Sequence, residues 1–316
     1  MQRAFNRIAL LLAVCLAAAC VRGKKEAPQP LRPFPRVEIP AVLTDPQERT
    51  DYGIAHYWDA YFAGSGNTDS TAVLGVPTED VEQALANFIG MLDHTSLETA
   101  QKGVKILFKG IETAQKADTS SHVYTVLTEM VVSYLYDPNS PLRDEDYYAP
   151  FAAAMGRSSL TPAELRAGYN YQAAVCSLNP RGSVAADFEA QRPDGSTFTL
   201  HGIKAENTLL FFSNPGCHAC GEIVASLKEL DLDPLIASGR LAVVNLYIDD
   251  DVNAWLAYVG GYPDSWYNAR DPRSAIRNEE LYNVRAIPSL YLLDADKRVV
   301  LKDADTPKVL DALAKL

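Results

Sequence analysis

Apolar residues change their spacing several times along the chain, and each change predicts a different kind of structure. An unbroken apolar run from Ile8 to Ala19 follows Arg3 and Arg7. It is too short to span a bilayer and has the form of a secretory leader core. Between Val21 and Pro35 no apolar period remains, while Pro28, Pro30, Pro33 and Pro35 recur. Residues 21–36 are therefore expected to form an extended, semi-rigid spacer. From about Val37 to Leu178 the period is helical. Val81, Leu85, Phe88 and Leu92 form one stripe behind Thr78, Glu79 and Asp80, and Val104, Leu107, Phe108 and Ile111 form another behind a Thr95–Glu98 capping box. Val123 to Tyr136 is long and apolar and stops before Pro138, and Thr161-Pro162-Ala163-Glu164 reads as a helix start with Thr161 as its cap. The segment 37–180 thus reads as an all-α domain, an irregular bundle of five or six short helices.

After Asn179-Pro180-Arg181-Gly182 short apolar runs alternate with helical periods, the signature of an α/β domain over residues 182–316. Leu209–Phe212 and Leu241–Ile248 look like buried central strands. Phe198–Leu200 follows the turn signal Pro193-Asp194-Gly195, and Ser289–Leu293 with Val299–Lys302 predicts a hairpin around Asp294–Lys297. Thr306-Pro307 is expected to cap a last helix.

A formal charge of −11 argues against nucleic-acid phosphates as partners, since these require clustered Lys and Arg. Five cysteines change the picture more. The small residues before Cys20 resemble a bacterial lipobox, with Ala17 where Leu is usual. The resemblance implies that 1–20 is a lipoprotein signal peptide, that Cys15 is removed with it, and that Cys20 carries lipid. The mature chain would then be anchored to a membrane of the cell envelope, facing the periplasm or the outer surface. Lys24 and Lys25 are too few to bind anionic lipid alone.

Of the remaining cysteines, Cys217 and Cys220 follow a buried strand and a Pro215-Gly216 loop at the start of a helix. There the unpaired N–H groups and the macrodipole stabilise a thiolate, and a spacing of three residues brings the two sulfurs within bonding range. The pair therefore reads as a redox couple, with Cys217 attacking a substrate disulfide and the more buried Cys220 resolving the mixed disulfide. No second C-x-x-C accompanies it as a zinc site would require, and Gly221 stands where a c-type haem motif needs His. A peroxide-reducing relative would have Thr at position 214, which is Asn. No metal and no bound cofactor are expected.

Val184-Ala-Ala-Asp-Phe188, the strand–loop around Cys217 and Cys220, and Tyr282-Asn-Val-Arg-Ala-Ile-Pro288-Ser-Leu-Tyr-Leu-Leu-Asp294 resemble the thioredoxin-like superfamily and, within it, the tethered TlpA-like and ResA-like proteins. The resemblance implies a central mixed sheet flanked by helices, a cis Ile287-Pro288 bond lying against the disulfide and binding substrate backbone, protein thiols and disulfides as substrates, a membrane redox partner, and reduction rather than oxidation. The family's buried acid, six residues before the first Cys, is replaced by Phe211. Glu222 is the nearest substitute in sequence but points to another helix face. Tyr52-Gly-Ile-Ala-His-Tyr-Trp58-Asp59 resembles the opening of a helical domain of unknown function that precedes thioredoxin-like domains in envelope lipoproteins. Two rival readings stand beside this one: a non-catalytic binding module built from the same two domains, and a structural envelope lipoprotein whose Cys217–Cys220 bond never turns over.

Other residues have two readings each. His218 either stabilises the Cys217 thiolate and touches substrate, or is an exposed histidine of little effect. His56, Tyr57 and Trp58 read as core before pocket, Cys176 as a buried free thiol before an exchange partner, and Asp249–Asp251 as a water-facing helix cap before a metal site. Trp255, Tyr262 and Trp266 read as packing before a substrate groove.

Overall fold

A computed structural model describes residues 30–316. The predicted leader and the lipid site at Cys20 lie outside the described residues. The first half carries helices α1 (Pro46–His56), α2 (Asp59–Ala63), α3 (Thr78–Leu92), α4 (Leu97–Ala117), α5 (Val123–Leu135), α6 (Glu145–Arg157) and α7 (Ala163–Cys176). Among the described residues these are seven helices, not five or six, and a small hairpin of β1 (Ala72–Val73) and β2 (Val76–Pro77) interrupts the all-α pattern. Asp45 caps α1 by accepting from the Glu48 N–H at 2.9 Å. The α3 stripe of Val81, Leu85, Phe88 and Leu92 is fully buried, as its spacing requires, against a core that includes Val104, Leu107 and Ile111 of α4 and Tyr148 and Phe151 of α6.

Three expectations are corrected here. Thr95 does not cap α4: its hydroxyl donates to Asp51 Oδ1 at 2.6 Å, and Ser96 caps instead, accepting from the Thr99 N–H at 3.2 Å. Thr161 likewise bonds Tyr124 Oη at 2.6 Å and leaves α7 without a side-chain cap. In both places a tertiary partner outcompetes the local one. Ser96→Ala is expected to lower stability by about 1 kcal/mol in urea denaturation, the usual cost of a lost cap. Thirdly, the spacer is docked where it is described, over residues 30–36, while residues 21–29 of it lie outside the described residues. Arg32 donates to Tyr61 O at 2.8 Å, and the Phe34 ring stacks on Tyr61 with centroids 5.2 Å apart. Phe34 thereby joins the aromatic group of Tyr57, Trp58, Tyr61 and Phe88, which is core as expected of Tyr57 and Trp58, whereas His56 is exposed and its Nδ1 pairs with Asp59 Oδ2 at 2.7 Å.

The second half is a seven-stranded mixed sheet in the order β4-β3-β7-β6-β5-β8-β9. Its strands are β3 (Glu189–Gln191), β4 (Thr197–Thr199), β5 (Asn207–Phe212), β6 (Leu241–Tyr247), β7 (Tyr267–Arg270), β8 (Ser289–Leu293) and β9 (Val299–Leu301). β5, β6 and β7 run parallel, and β8 runs antiparallel to β5. Side chains alternate across the sheet. Leu209 and Phe211 enter one core with α8 (His218–Glu229) and α12 (Thr306–Leu313), while Leu210 and Phe212 enter the opposite core with Phe188, Tyr282 and Tyr291. Three further helices complete this half: α9 (Asp233–Ala237), α10 (Val252–Val259) and α11 (Ala275–Asn278). Asp305, not Thr306, caps α12 by accepting from the Lys308 N–H at 2.8 Å. Trp255, Tyr262 and Trp266 are buried and pack the first of these cores.

The halves meet through buried charge. Arg181 donates to Asp146 Oδ2 and Asp144 Oδ1 at 3.0 and 3.1 Å, and Lys302 lies 3.3 Å from Glu145 Oε2 and donates to the Cys176 carbonyl at 2.6 Å. Among the described residues no helix is long and apolar enough to cross a membrane.

Candidate thiol-disulfide site

The register of β5 on β8 builds the site. Because the strands are antiparallel and Phe212 pairs with Ser289, the end of β5 and the start of β8 share one edge of the sheet. The chain leaving β5 and the chain entering β8 therefore converge there. Gly216 adopts φ +71°, a left-handed turn that suits glycine and closes the loop ahead of α8. Cys217 is the N-cap: its Sγ accepts from the Cys220 N–H at 3.2 Å, and its carbonyl accepts from the Gly221 N–H at 3.1 Å. Cys217 and Cys220 are joined in a disulfide, with Cα atoms 5.2 Å apart. Cys220 is 1% exposed, whereas Cys217 is half-buried, so the first sulfur is the one an incoming group meets.

Opposite it, Ile287-Pro288 is a cis peptide, and the Ile287 carbonyl oxygen lies 3.9 Å from Cys217 Sγ. The structure thus brings Cys217, Cys220, Ile287 and Pro288 together. His218 shares the helical turn but faces solvent, its Nδ1 3.6 Å from Glu222 Oε1 and its side chain 89% exposed. Glu222 is likewise exposed and turned to His218. Phe211, at the position of the family's acid, is fully buried in the core that also holds Cys220. Cys176 is a buried free thiol, contacted by Asn283 Nδ2 at 3.7 Å, and burial pushes its pKa up to about 12. Such a thiol stays protonated and unreactive at neutral pH.

Several residues that hold the cysteine loop were not singled out from the sequence. Ser213 hydrogen-bonds Asn245 and lies 3.3 Å from the Tyr262 hydroxyl. Asn245 donates to Asn268 Oδ1 at 3.0 Å, and Asn268 donates to the Pro263 carbonyl at 2.9 Å. Asn214 donates to Asp249, which in turn pairs with Arg277. Of the acidic run, Asp251 caps α10, accepting from the Ala254 N–H at 2.9 Å, but Asp249 supports the loop and does not merely face water. A signal was present: Asn245 is the one polar residue in an otherwise apolar strand, and a polar group buried there needs partners.

A mixed sheet flanked by helices, with a cysteine pair at a helix N-terminus beside a cis-proline, defines a thioredoxin-like domain behind a helical one. Residues 17–176 match the family model described as a domain of unknown function, DUF5106, and the chain belongs to that family. A thioredoxin-like protein from Bacteroides caccae ATCC 43185 is 32% identical, covering 90% of this chain and 98% of that one with a TM-score of 0.74, so the two-part architecture is shared. The C-terminal domain of an uncharacterized protein from Bacteroides fragilis NCTC 9343 is 40% identical over 43% of this chain and 98% of that one, with a TM-score of 0.41. The thioredoxin domain of a thiol-disulfide oxidoreductase from Bacteroides vulgatus is 19% identical over 43% of this chain and 96% of that one, with a TM-score of 0.38. No curated protein matches the chain.

Proposed function

We propose that the protein is a thiol-disulfide oxidoreductase that reduces disulfides of polypeptide substrates, tethered to an envelope membrane through lipid on Cys20. The observation that carries this reading is the half-buried Cys217, disulfide-bonded to the buried Cys220 and facing the carbonyl that precedes a cis-proline. In the reduced protein the Cys217 thiolate attacks one sulfur of the substrate disulfide, and the displaced substrate thiolate takes up a proton. Cys220 then loses its proton and attacks Cys217, the second substrate thiol leaves, and the two electrons have passed from the pair to the substrate. A membrane dithiol partner resets the Cys217–Cys220 disulfide. Ile287 offers backbone to the bound polypeptide, Pro288 shapes that surface, and His218, at the rim, contacts it.

The division of exposure between the sulfurs supports these roles, since attack requires access and resolution only proximity. Cys220→Ser, expressed in cells, is expected to accumulate mixed disulfides between Cys217 and other polypeptides. They should disappear on reduction and be missing from the Cys217→Ser/Cys220→Ser double variant. If no adduct forms above the double variant, exchange chemistry is ruled out, and the partners captured otherwise identify the substrates.

A further inference from the structure

The segment bearing Ile287-Pro288 is held from both sides, and the holding groups lead to the helical domain. Arg285, two residues upstream, donates through Nε to Glu145 Oε1 at 3.1 Å and through a second nitrogen to the Tyr136 carbonyl. Its third nitrogen reaches Asp303 Oδ2 at 3.5 Å, and the guanidinium lies 4.3 Å from the Tyr136 ring centroid. Asn283, two residues further upstream, donates to the same Glu145 Oε1 at 2.5 Å. Downstream, Ser289 donates to Asp303 Oδ1 at 2.7 Å, which returns the tie to Arg285. Glu145 is 2% exposed, Ser289 1% and Asp303 9%.

Such a cluster is an expensive way to hold two domains together. Buried ion pairs lose in desolvation much of what they gain by attraction, and apolar packing of equal volume commonly does as well. What a planar five-donor group adds is direction: it accepts few arrangements of its partners and fixes the backbone that carries it. Here that backbone is the segment that faces Cys217.

We infer that the helical domain is a positioning element for the exchange site: Glu145 and the Tyr136 carbonyl, acting through Arg285, hold residues 283–289 so that the Ile287-Pro288 surface stays in register with Cys217. The inference rests on the exchange function proposed above. Neither Glu145 nor Arg285 touches the sulfurs, so both are positioning residues. A polypeptide lying along residues 287–288 would feel their loss, whereas a small disulfide that meets only Cys217 would not.

The test uses the full-length protein and three variants. Glu145→Ala removes the acceptor, Arg285→Met removes the guanidinium while keeping its stem, and Glu145→Gln keeps an acceptor oxygen in place. In the first two, hydrogen exchange of peptides covering residues 283–289 is expected to quicken at least about tenfold, with residues 241–247 unchanged, because only the tie and not the sheet is lost. The same variants should reduce insulin with kcat/KM lowered about tenfold, mainly through KM, while reaction of reduced Cys217 with a small aromatic disulfide stays within about twofold. Glu145→Gln should restore both readouts. Unchanged exchange in 283–289, in whichever of Glu145→Ala and Arg285→Met folds, overturns the inference, as does an equal fall with both disulfides. If wild type reduces neither disulfide but the exchange pattern appears, the positioning holds and the oxidoreductase reading falls.

Discussion

Replacing Cys217 by serine is expected to lower insulin reduction by on the order of a thousandfold or more, with the fold unchanged. The size follows from chemistry. A thiolate is the nucleophile of exchange, and an alcohol at the same place remains protonated and is a poor attacker of sulfur. At the helix N-terminus the sulfur already accepts the Cys220 N–H, a donor that stabilises negative charge when the disulfide opens. The side chain is small and half-buried, so exchanging sulfur for oxygen disturbs little packing. Reduction at the wild-type rate by Cys217→Ser would favour the binding-module reading, in which the fold docks a partner and the cysteines do little. The comparison with Cys220→Ser is informative in itself, because that variant keeps the first attack and loses only the release.

Stability should fall as pH rises through the neutral range, and Glu145 should be the main cause. Burial raises its pKa from 4.5 to about 7; Lys302 opposes the shift, Asp303 adds to it, and Arg285 opposes it. Asp144, half-buried beside Asp146 but paired with Arg181, moves from 3.8 to about 6 for the same first reason. The folded state therefore holds protons that the unfolded chain has released. Between about pH 4.5 and 7 the unfolded state binds fewer protons, so the stabilisation present at low pH is lost as pH rises. For Glu145 alone the loss is about 2 kcal/mol between pH 5.5 and pH 8. The exposed carboxylates Asp69, Glu98, Asp118 and Asp194 are shifted downward and act in the opposite sense, below the ordinary carboxylate range. Urea denaturation at the two pH values should show the fall in wild type and a flatter profile in Glu145→Gln. A wild-type midpoint that rises over this range would contradict the argument.

The readable parts of the molecule were those whose signals are local. Leu209–Phe212 and Leu241–Ile248 are apolar because both faces of the sheet are covered, and the run from Tyr282 to Asp294 carries its family pattern intact. The short strands β3 and β7 were not readable: at three and four residues, with mixed polarity, they are defined by their pairing, β3 with β4 and through Gln191 with Arg270 of β7, and β7 with β6. Thr95 and Thr161 looked like caps because the local pattern was right, yet each found a partner elsewhere in the fold. The contacts around Arg285 were the least legible. Glu145 lies 140 residues away in sequence, and no period or motif links positions so distant. Cys217 and Cys220 were visible from their spacing and from the strand and loop ahead of them, but the groups that hold the loop, from Ser213 to Asn268, became visible only once the strands were in register.

The docking of Arg32 and Phe34 sets a working radius. With the chain docked at Arg32, a lipid on Cys20 would lie twelve residues away in sequence, a distance of at most about 40 Å whatever the path of the chain between. The helical half, which carries Arg32, would then ride nearest the bilayer. The reactive edge could sweep only a shallow shell above the surface, which would favour clients that are themselves anchored or newly emerging there over those diffusing at a distance.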